Sequence, residues 1–268
     1  MITISKIFQL ICIRSLSMYR NLTVAILLIF SNNAYSDQHE EILIKKGTIE
    51  FAEGEKYEGE LVNGQMHGKG VLTFSDGGSY SGDFIEGQIE GSGILVYKDG
   101  SVYDGEFVKG KREGKGKLTF ADGTSYEGTF QNGERNGSGT LSYSDGTTYV
   151  GKFERGEFQG KGKIKFPDGG MYEGDFDSGK ISGTGKFSYS DGSVYEGTFS
   201  NDQRQGEGKL IYPDGSLYEG LFKDGFREGK GVFIFADKTK IEANFVKGDP
   251  KGKVVITYPD GTIVEDNY

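Results

Sequence analysis

The chain repeats itself every 23 residues. Tyrosines stand at Tyr57, Tyr80, Tyr103, Tyr126, Tyr149, Tyr172, Tyr195 and Tyr218, and two residues after each comes a glycine, from Gly59 to Gly220. A fixed period of this size marks a repeat architecture. One supersecondary unit cannot bury its apolar face alone, so neighbouring units must stack to complete a core.

Numbering each unit from its tyrosine, position 5 runs Leu61, Phe84, Phe107, Phe130, Phe153, Phe176, Phe199, Phe222 and Phe245. Position 16 is Leu, Ile or Phe from Leu72 to Ile256, and position 18 is Phe or Tyr from Phe74 to Tyr258. The unit therefore reads Y-x-G-x-F, a break, then G-x-G-x-L-x-F. Both runs alternate with period two, which is the signature of a half-buried strand. Asp-Gly recurs at 76–77, 99–100, 122–123, 145–146, 168–169, 191–192, 214–215 and 260–261. That dipeptide favours hairpin turns, because Gly tolerates positive φ and Asp bonds its own backbone. The other connection is centred on a glycine, as in Gln131–Asn136.

Each unit is thus predicted to be a β-hairpin. Together the hairpins form an all-β, single-layer antiparallel meander of about 16 to 18 strands. A tight Asp-Gly turn pairing Phe74 with Tyr80 would set Leu72 opposite Gly82 and Gly70 opposite Phe84. Large side chains would then cover glycine gaps on the neighbouring strand, which accounts for most of the 45 glycines.

The motif YEGxFxxGxxxGxGxLxFxDG resembles the MORN (membrane occupation and recognition nexus) repeat, over roughly Gly47 to Gly261. The resemblance implies an elongated, twisted half-pipe of hairpins. It further implies tethering, dimerisation and contact with proteins or membrane surfaces, with no catalysis by the repeats. Some arrays of this family are fused to lipid kinases or histone methyltransferases, but no segment here is long enough to be such a domain.

The ends depart from the pattern. Residues 1–36 hold Lys6, Arg14 and Arg20 and no acid, with the apolar run Leu22–Phe30 and the small residues Ala34 and Ser36. This is the layout of a secretory signal peptide cleaved between Ser36 and Asp37. Nine apolar residues are too few to span a bilayer; the alternative is an uncleaved membrane anchor. Residues 37–46 read as a polar lead-in, and residues 47–56 as a half unit supplying the N-terminal edge strand. Eight full units follow over 57–240. In the worn last unit, 241–268, Ile241 replaces the tyrosine, Ala243 and Val254 replace glycines, and Lys238 replaces the turn glycine just before it. Terminal repeats commonly depart from consensus as caps. Val254–Tyr258 is the most β-prone stretch and is expected to close the sheet. The acidic tail, Val264–Tyr268, would discourage edge-to-edge pairing.

Chemistry-bearing residues are few. His39 and His67 are the two histidines, and neither has the orienting acid and nucleophile that catalysis needs. The turn aspartates lack the spacing of a calcium β-roll, so no catalytic residue, metal site or cofactor is expected. The one cysteine, Cys12, lies in the leader. Formal net charge is −9, and −12 without residues 1–36, which argues against nucleic acid and weakens binding to anionic lipid.

The aromatic rows remain as candidates. A single-layer sheet has no second layer, so these rows must supply its core. Any part lining a groove would be exposed and could bind. Tyr80, Tyr103, Tyr126, Tyr149, Tyr172 and Tyr195, with Tyr97, Tyr143 and Tyr189, are therefore the expected binding residues. The expected function is an exported, non-catalytic scaffold that binds an unidentified protein partner and can self-associate. The alternative is a phospholipid-surface or glycan-binding module. A role as accessory to a lipid kinase or methyltransferase ranks below both.

Overall fold

The computed structural model describes residues 43–268, which contain twenty β-strands and no helix. The proposed cleavage point at Ser36 and Asp37 lies outside the described residues. The chain divides into two compact units. The first holds the described residues up to Asp99 together with Tyr103–Gly114. In it β1 (Lys45–Glu50), β2 (Lys56–Val62), β3 (Gln65–Thr73), β4 (Ser79–Ile85) and β5 (Gln88–Val96) pair antiparallel in chain order. Most of β6 (Val102–Val108) and the start of β7 (Lys111–Thr119) also belong to it.

The second unit holds Gly100–Val102 and Lys115–Tyr268. Its complete strands are β8 (Ser125–Gln131), β9 (Glu134–Ser142), β10 (Thr148–Glu154), β11 (Glu157–Lys165), β12 (Met171–Asp177), β13 (Lys180–Ser188), β14 (Val194–Ser200), β15 (Gln203–Ile211), β16 (Leu217–Lys223), β17 (Phe226–Ile234), β18 (Lys240–Val246), β19 (Asp249–Thr257) and β20 (Ile263–Asn267). These too are antiparallel neighbours in chain order. Each unit is one layer of hairpins. The strand count exceeds the sequence expectation because β1, from the half unit, and β20, at the end of the cap, each add a strand to the hairpins β2 to β19. Val254–Tyr258 does not close the sheet; β20 pairs beyond it, with Val264 opposite Ile256.

The two connections in each repeat have exchanged roles relative to the sequence reading. The tight turns are the x-Gly pairs: Asn132 and Gly133 both have positive φ, at 51° and 88°, joining Gln131 to its partner Glu134. Two central residues with positive φ make a type I′ turn, whose twist matches the strands it joins. The Asp-Gly connections are longer. Gly77 donates to the Phe74 carbonyl at 3.1 Å, Phe74 donates to Gly78 at 2.9 Å, and Asp76 Oδ1 accepts from the Gly78 amide at 2.9 Å. With Gly77 at φ 94°, this is a three-residue loop whose glycine takes the left-handed conformation.

The position of this loop, centred on Asp76, corrects the register. Phe74 does not reach Tyr80; instead Leu72 faces Tyr80, Gly70 faces Gly82 and Gly68 faces Phe84. A slip of two residues leaves every side chain on its original face, so the faces stand while the partners change. Glycine is set against glycine, and in each pair joined through a tight turn, such as Gly59 and Gly70, both are covered by the tyrosine of their own repeat, here Tyr57.

Candidate functional site

Tyr126 shows how the core is built. Its ring lies along its own strand over Gly128 and reaches across to Gly139, the residue paired with Gly128. Its hydroxyl donates to the Thr129 carbonyl at 2.9 Å. The ring edge meets Phe130 of its own repeat at 5.1 Å and Phe153 of the next at 4.9 Å, both T-shaped. Tyr80, between Phe84 and Phe107, and Tyr195, between Phe199 and Phe222, repeat the arrangement. Edge-to-face pairs of this kind add to the gain from burying the rings.

This overturns six of the expected binding residues. Tyr80, Tyr103, Tyr126, Tyr149, Tyr172 and Tyr195 are all 0% exposed. The phenylalanines on either side and the glycines beneath leave no ring surface for a ligand. The row is the hydrophobic core of a sheet that has no second layer.

Position 10, just after the tight turn, completes the enclosure and was missed in the sequence. Arg112, Arg135, Arg204 and Arg227 place their guanidinium groups 5.6 to 5.7 Å from the tyrosine rings of their own repeats. Arg135 and Arg204 also donate to the carbonyls of Gly156 and Gly225 in the next tight turn, at 2.8 and 2.6 Å. Phe158 takes the same place by stacking on Tyr149 at 3.8 Å. The signal was available: four units carry an arginine two residues before Gly-x-Gly.

The three other expected residues belong to a second row, at the Asp-Gly turns. Tyr143 is 40% exposed, and Tyr97 and Tyr189 are half-buried. In the second unit this row thickens. Phe166 stacks on Phe187 at 5.7 Å and Phe187 on Tyr189 at 4.4 Å. Two repeats on, Phe233 lies 5.6 Å from Tyr212 and 4.7 Å from Phe235, which is 40% exposed. An open groove of about 510 Å3 runs along the first stack, lined by Phe166, Pro167, Phe187 and Tyr189 and rimmed by Asp145 and Asp168. It holds accessible aromatic and acidic groups within one short stretch of turns.

The model of the MORN repeat matches eight consecutive segments, 57–79, 80–102, 103–125, 126–148, 149–171, 172–194, 195–217 and 218–240. The chain belongs to the MORN repeat family. Comparison with curated proteins finds no match. Among solved structures, the chain is similar to the TCP10 domain of Danio rerio CPAP in complex with a STIL peptide. That match has 14% identity and a TM-score of 0.42, over 84% of this chain and 99% of that one. It is also similar to the SAS-4 (dCPAP) TCP domain of Drosophila melanogaster in complex with a proline-rich motif of Ana2. There the identity is 14% and the TM-score 0.33, over 75% of this chain and 90% of that one. These likenesses are too weak to transfer a ligand.

The MORN tyrosines also set a pH limit. Burial pushes Tyr80, Tyr149, Tyr172, Tyr195 and Tyr218 up to about 12. The unfolded chain would ionise them near 10, the ordinary value for tyrosine. A pKa raised by folding gives stability that is fully present below the unfolded value and is lost as pH rises through the folded one. Unfolding is therefore expected between about pH 10 and 12. Phenolate absorbance and circular dichroism should change together. Smooth titration near pH 10 in a chain that stays folded would contradict the buried row.

The opposite sheet face carries the variable residue after each tyrosine, which the sequence marks as solvated. The register sets it against a lysine in several repeats. Lys186 meets Glu196 at 2.8 Å and Lys209 meets Glu219 at 2.7 Å. Exposed pairs like these contribute ~0–1 kcal/mol each, so this face adds charge pattern more than stability.

Proposed function

We propose that this MORN array is an exported, non-catalytic scaffold that binds an extended segment of a partner protein across its Asp-Gly turns. The observation that carries this reading is the stacked Phe166–Phe187–Tyr189 group, half-buried along an open groove beside Asp145 and Asp168. Exposed aromatic surface with a polar rim favours a protein ligand. The acidic rim favours lysine or arginine in that ligand. Spacing supports an extended chain: one repeat advances two strand spacings, ~9.6 Å, and an extended peptide rises ~3.3 Å per residue. Every third residue of such a peptide would meet the same place on successive repeats. Export is supported by the charged start, apolar run and small-residue exit of residues 1–36.

The test uses protein captured from the exported fraction, followed by affinity measurement on variants. Tyr189→Ala and Phe235→Ala are expected to weaken binding at least about tenfold, in the range of aromatic hot spots. Val150→Ala on the opposite face and His67→Ala should leave it unchanged. Equal affinities for Tyr189→Ala, Phe235→Ala and the parent would remove the turn row as the site. Binding of liposomes or soluble glycans without any protein would favour the surface-binding alternative.

A further inference from the structure

Among the described residues, the first and last strands, β1 and β20, are complementary halves of one repeat. β1 carries Gly47 and Ile49 at positions 14 and 16, and so is the second strand of a unit. It pairs with β2 on one side, Ile49 opposite Tyr57. Its other edge is the one that, inside the array, receives the tyrosine strand of the same repeat. β20 carries Val264 and Asp266 at positions 1 and 3, and so is a first strand. It pairs with β19, and no other strand lies against it among the described residues.

We propose that β20 of one copy adds to β1 of a second copy, so that one repeat is completed across two chains. The register follows from the intact repeats, where Tyr57 faces Leu72, Glu58 faces Val71 and Gly59 faces Gly70. Applied at the edges, it sets Val264 opposite Ile49, Glu265 opposite Thr48 and Asp266 opposite Gly47. The Val264–Ile49 pair is then apolar, and Gly47, the smallest residue of β1, faces Asp266, which, like Ala243, stands where the other repeats have glycine at position 3. Glu265 falls on the same face as Lys46, and Asp266 on the same face as Lys45. Each is a diagonal cross-strand neighbour within reach of a lysine.

Charge selects this pairing over the others. β1 opens with Lys45 and Lys46, whereas β20 carries Glu265 and Asp266. Two β20 edges repel each other, while β1, with Lys45 and Lys46 against the single Glu50, is net positive and attracts β20, where Glu265 meets Lys253 of β19 at 2.7 Å and Asp266 adds a second negative charge. The apolar content of β20 points the same way. Ile263 is 64% and Val264 42% exposed, and the acidic residues beside them discourage pairing with another acidic edge but not with one that carries lysines. A contact between different edges is heterologous, and without ring closure it propagates. Strand addition of this kind relies on main-chain hydrogen bonds for affinity.

Sedimentation of the purified protein tests the proposal. Average mass should rise continuously with concentration. Lys45→Glu/Lys46→Glu makes both edges acidic and should weaken association at least tenfold. Glu265→Lys/Asp266→Lys makes both edges basic and should do the same. Mixing those two variants should restore association, and so should all four reversals in one chain. The four residues are exposed, so unchanged circular dichroism and melting will show that the variants fold. A monomeric mass at every concentration would overturn the proposal, as would a closed dimer indifferent to the reversals or a mixture that fails to associate.

Discussion

Gly128→Val is expected to destabilise the array by about 3 kcal/mol or more, because it combines overpacking with displacement of a buried aromatic. A Cβ at residue 128 would collide with the Tyr126 hydroxyl and lie 2.6 Å from the Cα of Gly139. The backbone opposite cannot yield, and the ring can leave only by giving up its contacts with Phe130 and Phe153. The cap shows the permitted alternative. There Ile241 replaces the tyrosine, Ala243 and Val254 fill both glycine positions, and Val254 is only 1% exposed. Transplanting that trio as Tyr126→Ile/Gly128→Ala/Gly139→Val should therefore cost less than Gly128→Val alone. Thermal and denaturant melts decide the point. If the single substitution melts like the parent, the glycines are not seats for the rings.

Tyr149→Ala should cost about 3–5 kcal/mol, the range for removing a large buried aromatic. Its ring stacks on Phe158 at 3.8 Å and meets Phe153 and Phe176 edge-on at 5.1 Å. Tyr149→Phe keeps those contacts and loses only the 2.8 Å bond donated to the Lys152 carbonyl, so about 1 kcal/mol is expected. Repeat arrays are stabilised mainly between neighbours. Damage should therefore appear first as protease sensitivity at the turns nearest β10 and β11. A Tyr149→Ala array with parental stability would mean that the row is not the core. The same result bears on binding studies. Loss of binding on replacing Tyr126 or Tyr149 would report unfolding, so the turn-row variants are the informative ones.

The sequence alone determined the repeat, its strands and its two faces. Period 23 and alternation with period two leave one architecture open to it. Strand periodicity also survives an error of two residues in register, because side chains return to the same face. Composition likewise identified the aromatic residues as the material of the core. What tertiary structure decided is how the strands meet. The three-residue loop is centred on Asp76, one residue before the centre that pairing Phe74 with Tyr80 would require, and so it sets Tyr80 opposite Leu72 and Gly82 opposite Gly70. That choice depends on φ at single residues, which Asp-Gly by itself permits in more than one turn type.

Exposure was also a tertiary decision. Tyr143 and Tyr149 are both aromatic residues of one repeating pattern, yet one is 40% and the other 0% exposed. The difference arises because residue 149 has a phenylalanine on each side and paired glycines beneath, while residue 143 leads into the open turn. The trio of Ile241, Ala243 and Val254 held part of this answer in the sequence. The glycines are filled together where the tyrosine is lost, because only the ring requires the space that they leave.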